Sequence, residues 1–154
     1  MKAEQDFEQF VELLNKHDIR YLIVGAYAVG FHSLPRNTGD LDLWLEPTPE
    51  NAEKLLKVLE EFGIGSLEIK AEDLMELERV IQIGFPPVRI DMLTSLTGLN
   101  FSEAHKKRVQ GVLGSVSGYF ISLEDLITNK DATGRTIDKA DSEILKKFLP
   151  DNES

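Results

Sequence analysis

The stretch Gly39-Asp40-Leu41-Asp42-Leu43-Trp44-Leu45 sets carboxylates against large apolar side chains at alternate positions. Successive side chains of an extended strand point to opposite faces. As a strand, this segment therefore puts Leu41, Leu43 and Leu45 on one face and Asp40 and Asp42 together on the other. A chain built around it needs a sheet anchored in a core, with two acids projecting from the strand's entrance. A second apolar segment, Val88-Arg89-Ile90-Asp91-Met92-Leu93, carries a third acid. If the two strands are neighbours, three carboxylates converge, giving hard oxygen ligands suited to Mg²⁺ or Mn²⁺. Like charges gathered in this way are unfavourable unless a cation neutralises them.

Upstream, Arg20-Tyr21-Leu22-Ile23-Val24 reads as an apolar strand that runs into Gly25 and then into a helix through Ala26 to His32. Glycine has no Cβ, so a ligand or a neighbouring backbone can approach closely, and the free N–H groups of a helix start favour anions. One component suits phosphate and the other suits its metal.

Taken in order, Gly25-Ala26, Asp40-Leu41-Asp42 and Asp91 resemble the signature of the nucleotidyltransferase superfamily, the minimal DNA polymerase β-like fold. That signature is a glycine followed by Gly or Ser, an Asp-x-Asp strand and a later acid. Arg36-Asn37-Thr38-Gly39-Asp40-Leu41-Asp42 is similar to the approach common in its stand-alone prokaryotic members. The tail from Asn129-Lys130 through Arg135, Asp138 and Asp141 resembles the ending of a branch related to abortive-infection and toxin-antitoxin pairs.

The resemblance implies an α/β (α+β) fold, a small mixed β-sheet with helices packed on it. It implies a Mg²⁺- or Mn²⁺-dependent enzyme that transfers a nucleoside monophosphate from an NTP to an acceptor hydroxyl. Asp40, Asp42 and Asp91 would be the catalytic and metal-binding residues; Gly25, Ala26, Arg36, Thr38, Lys130 and Arg135 would bind the nucleotide. The acceptor is left open among an antibiotic, a protein side chain and a tRNA end. Ala26 departs from the pattern: its methyl cannot make the phosphate hydrogen bond of a serine hydroxyl, although its backbone N–H is unchanged. This departure gives an alternative, a non-catalytic nucleotidyltransferase-like member of a toxin-antitoxin pair. A homodimer or a partner protein would complete a cleft that so short a chain leaves open.

Each piece also has a plain structural reading. An Asp-x-Asp after glycine is an ordinary solvated strand entrance, and a glycine between strand and helix is ordinary turn chemistry. Lys130, Arg135, Asp138 and Asp141 can equally be salt bridges that lock the last two helices together.

With 154 residues and 42% apolar content the chain suits one domain, residues 1–150, followed by a frayed tail at 151–154. The start is too polar for a secretory signal and no apolar run is long enough for a membrane span, so the expected location is the cytoplasm. There is no cysteine, which removes thiolate ligands and thiol nucleophiles. The net charge of −10 excludes broad, unspecific nucleic-acid binding. Local cations at Arg36, Arg89, Lys106, Lys107, Arg108, Lys130 and Arg135 are enough for the phosphates of a nucleotide. His17 and His105 read as surface residues, His105 within an exposed basic patch, and His32 as a structural or a catalytic group.

Apolar spacing predicts a first helix around Phe7, Phe10, Val11 and Leu14. It predicts a second that starts at Thr48-Pro49 and ends at Gly63. Residues 72 to 79 suggest a short helix, residues 80 to 93 two strands turning at Pro86-Pro87, and Arg108 to Ile121 a glycine-punctuated strand region. Ser122 caps a helix, and after Gly134 a last one is expected to carry Ile137, Ala140, Ile144, Leu145 and Phe148 inward.

Overall fold

A computed structural model describes residues 5–36, 38–64, 68–85 and 88–150. The elements run α1 (Gln5–Lys16), β1 (Tyr21–Val24), α2 (Gly25–His32), β2 (Asp40–Leu45), α3 (Pro49–Glu61), a 3₁₀ turn (Ala71–Leu74), β3 (Val80–Phe85) and β4 (Val88–Leu93). They continue with α4 (Phe101–Lys106), β5 (Val109–Leu113), β6 (Val116–Phe120), α5 (Leu123–Thr133) and α6 (Thr136–Lys146). The expected helix at 72 to 79 is thus a shorter 3₁₀ turn. The turn at Pro86-Pro87 and the tail at 151–154 lie outside the described residues.

Six strands form one mixed sheet in the order β3-β4-β2-β1-β6-β5. β1 pairs antiparallel with β2 and parallel with β6; β2 pairs parallel with β4. The alternation in β2 is realised: Leu41, Leu43 and Leu45 are buried, while Asp40 and Asp42 remain half-buried. β1 is buried at every position, as a central strand covered on both faces must be.

The helices are set by short local codes. Thr48 caps α3, accepting a hydrogen bond from the Asn51 amide, and Pro49 occupies the first turn, where its missing N–H costs nothing. Asn51 is buried and fully used: Oδ1 accepts from the Arg20 amide at 2.8 Å, and Nδ2 donates to the Arg20 and Glu46 carbonyls. It thereby fixes where β1 begins. Asn100 caps α4 and Ser122 caps α5, which ends at the left-handed Gly134.

α6 is oriented differently from expectation. It buries Asp138, Asp141, Ser142 and Leu145 and leaves Ile137, Ala140, Ile144 and Phe148 exposed. The apolar stripe lost because the polar positions on the adjoining stripe find partners on α5 and in the loop before β2, so their burial is compensated. Among the described residues no helix is long and apolar enough to cross a membrane.

Candidate active site

The parallel register of β2 on β4 sets Asp42 opposite Asp91 and Asp40 opposite Arg89. On its other side Asp42 faces Val24, the last residue of β1, so the next residue, Gly25, stands over the Asp42 side chain. Gly25 has φ +68°, a left-handed conformation that other residues enter at a cost. A Cβ built there would run into the Asp42 carboxylate, 2.8 Å from its Cγ and 2.9 Å from its Cβ. Two separate constraints therefore require glycine here, the left-handed backbone and the approach of the Asp42 side chain. No side chain caps that helix start at Val24. Its first N–H groups stay available to an anion.

The Asp42 carboxyl is pushed up to about 6, first by burial, then by the negative charges of Asp91 and Asp40. Arg89 opposes this only partly, because its hydrogen bonds go elsewhere: Nε donates to Asp91 Oδ1 at 2.8 Å, and Nη2 to Asp91 Oδ2 at 3.1 Å and Asp40 Oδ2 at 3.4 Å. Thr38 steadies the approach, its hydroxyl accepting from the Asp40 amide at 3.1 Å.

The donors are of the right kind for a hard divalent cation, and the Arg89 hydrogen bonds go to Asp91 and Asp40 and not to Asp42. Even so, among the described residues no three Asp, Glu, His or Cys side chains are grouped as metal ligands. The guanidinium of Arg89 binds two of the three acids instead. Arg89 is the residue that sequence reasoning undervalued. Its signal was present in Arg89-Ile90-Asp91, where strand alternation puts both charges on one face.

The remaining residues form a second cluster. Lys130 Nζ lies 3.2 Å from Asp138 and 3.5 Å from Asp141. Arg135 Nε donates to Asp138 at 2.6 Å, the Thr133 hydroxyl to the same oxygen at 2.7 Å, and Arg36 to Asp141 at 3.2 Å. This is the locking of the last two helices, extended by Arg36 to the loop that leads into β2. Arg135 is 70% exposed, whereas Lys130 is only 13% exposed.

His32 donates from Nε2 to the Ile121 carbonyl at 2.6 Å, tying the end of α2 to the end of β6. Its pKa is lowered, mainly by burial. His17 bonds Glu61 at 2.8 Å. His105 corrects the sequence reading: it is buried, its ring stacked on Phe101 at 5.3 Å, with its pKa brought down to about 4 by burial and by Arg108 and Arg20. Phe101, Ala104 and His105 stand at helical spacing and are all buried, a stripe that the basic Lys106-Lys107-Arg108 run obscured.

No family model matches this chain, and no curated protein sequence does. Solved structures do. One is the lincosamide antibiotic adenylyltransferase LnuA with lincomycin bound, which superposes with a TM-score of 0.60 over 96% of this chain and 99% of that one. The chain has the nucleotidyltransferase fold. At 14% identity the shared property is that fold, reached through largely different side chains. In this nucleotidyltransferase fold the three acids named from sequence fall on adjacent strands beside the glycine that opens α2.

Proposed function

We propose that the chain is a metal-dependent nucleotidyltransferase that moves a nucleoside monophosphate from an NTP to an acceptor hydroxyl. The observation that carries this reading is the seat Gly25 makes for Asp42, opposite Asp91 and directly below an uncapped helix start. Asp40, Asp42 and Asp91 would hold Mg²⁺ or Mn²⁺. When bound, such an ion screens the triphosphate and makes an acceptor hydroxyl more acidic. The Gly25 and Ala26 amides take phosphate oxygens. Arg36, Thr38, Lys130 and Arg135 complete the nucleotide site; the exposure of Arg135 suits direct contact, and the double pairing of Lys130 suits positioning. In the reaction the acceptor oxygen bonds to the α-phosphorus, the bond to the β-phosphate oxygen breaks, pyrophosphate leaves and the hydroxyl proton passes to Asp91. Likeness to an antibiotic adenylyltransferase favours a small-molecule hydroxyl as one acceptor class.

A second reading has its own support. In a non-catalytic relative that works through a partner, as one member of a toxin-antitoxin pair, Arg89 would replace the cation permanently. The exposed Ile137, Ile144 and Phe148 of α6 would then offer a partner an apolar face.

Calorimetric titration with ATP, CTP, GTP and UTP, with and without Mn²⁺, separates the two. The transferase reading expects metal-dependent binding that Asp42→Asn abolishes. Absence of binding to all four nucleotides would remove the enzyme assignment.

A further inference from the structure

Resting on the transferase reading, we propose that Arg89 is an internal stand-in for the cation. Its guanidinium holds Asp40 and Asp91 in the free protein, so that metal binds tightly only once an incoming triphosphate draws the guanidinium away.

The backbone places Arg89 for this. It sits two residues before Asp91 on β4, on the same face, and directly across from Asp40 on β2. Its amide donates to the Gly39 carbonyl at 2.7 Å, which extends the ladder to the strand's first residues and fixes the base of the side chain. From there the planar fork reaches both oxygens of Asp91 and one of Asp40. The residue is therefore anchored at both ends, by its amide on Gly39 and by its guanidinium on the two carboxylates.

The same oxygens are the ones a divalent ion needs. Mg²⁺ requires ligand oxygens at about 2.1 Å in near-octahedral array. A guanidinium hydrogen-bonded to those oxygens takes up their lone pairs and repels a second cation a few ångströms away. Metal and Arg89 thus compete for Asp40 and Asp91, while Asp42 is untouched by any Arg89 hydrogen bond. A triphosphate changes the balance. It brings several anionic oxygens to the α2 start and gives the arginine fork a second bidentate partner. Once the fork leaves, three carboxylates are free together. Binding of nucleotide and metal then becomes mutually dependent, and the site avoids holding a divalent ion without substrate.

The test is Mn²⁺ binding by the whole chain at pH 8, followed by calorimetry and by the electron paramagnetic resonance signal of free Mn²⁺, with and without a non-hydrolysable NTP analogue. Wild type should bind Mn²⁺ alone weakly and gain about tenfold or more with the analogue. Arg89→Gln should bind Mn²⁺ alone about tenfold more tightly than wild type and lose most of the gain from the analogue. It should also melt lower than wild type in EDTA and recover when Mn²⁺ is added. Arg89→Lys, which keeps the charge but not the fork, should fall between, and serves if the glutamine variant does not fold.

If Arg89→Gln binds Mn²⁺ alone no better than wild type, while wild type binds nucleotide with Mn²⁺, the stand-in role falls and the transferase reading stands. If Arg89→Gln binds Mn²⁺ but wild type takes up no nucleotide in any condition, Arg89 keeps metal out but nothing releases it, and the nucleotide-triggered exchange falls together with the transferase reading. Silence of both proteins toward Mn²⁺ overturns both.

Discussion

Two charge clusters in this molecule are built from the same materials and balanced in opposite ways. At the strand cluster, three carboxylates share one guanidinium, and Asp42 is pushed up to about 6. At the helix cluster, Asp138 and Asp141 face Lys130, Arg135 and Arg36, with a threonine hydroxyl in addition. There burial would push Asp138 up, yet bonds from Thr133, Arg135 and Lys130 hold it below the ordinary carboxylate range. The second cluster has its charges paired within the chain, and those pairs join α5, α6 and the loop before β2. The first is left short of positive charge, which folding alone would not select. The proposed function supplies the balance from outside the chain, as a bound cation.

That contrast predicts stability changes of opposite sign. Asp138→Ala would leave the nearly buried Lys130 with one partner fewer and take the carboxylate from Thr133 and Arg135, at a cost of about 3 kcal/mol. It should appear as a lower urea midpoint with an unchanged slope. Were Asp138→Ala no less stable than wild type, the helix cluster would not be the structural one.

Gly25→Ala probes the strand cluster from its other wall. The left-handed backbone and the contact with Asp42 together should cost about 1–3 kcal/mol. Nucleotide binding should weaken more than stability does, because the new methyl must displace the carboxylate it meets. Equal effects on both would mean that Gly25 shapes the turn only.

The parts legible in sequence were those written by alternation and local chemistry. Asp40 and Asp42 had to share a face once Leu41 and Leu43 entered the core, and Thr48-Pro49 and Ser122 announced their helices. What stayed hidden depends on which elements become neighbours. That β4 lies parallel beside β2, putting Arg89 opposite Asp40, follows from the path of the chain through 46 to 79, and no local pattern encodes it. α6 was misjudged for a related reason. Apolar periodicity assumes that polar faces meet water, and here the polar face meets α5 and Arg36. Alternation alone could put Arg89 and Asp91 on one face, but the reach of Arg89 to Asp40 depends on β4 lying beside β2.

The sharpest form of the comparison is in the pH dependence, where two groups act against each other. Asp42 has a folded pKa near 6 against an ordinary value of 3.8, so the native state binds the extra proton between those values and gains stability as pH falls through that range. His105 has a folded pKa near 4 against 6.5, so the native state binds fewer protons and loses stability as pH falls from 6.5 toward 4. The groups acting on His105 are Arg108, Arg20 and Glu46; those acting on Asp42 are Asp91, Asp40 and Arg89. Because the windows overlap, wild-type stability should change little between pH 6.5 and 4.5. His105→Phe, which keeps the stack on Phe101, should uncover a protein whose urea midpoint rises on acidification. Adding Asp42→Asn to that variant should flatten the rise and raise the unfolding free energy at pH 8 by about 1 kcal/mol, well short of the full pKa conversion because the Asp42 carboxyl is only half-buried. A midpoint at pH 8 that drops instead would show the strand cluster to be as satisfied as the helix cluster, and the charge deficit on which the proposed binding site rests would not exist.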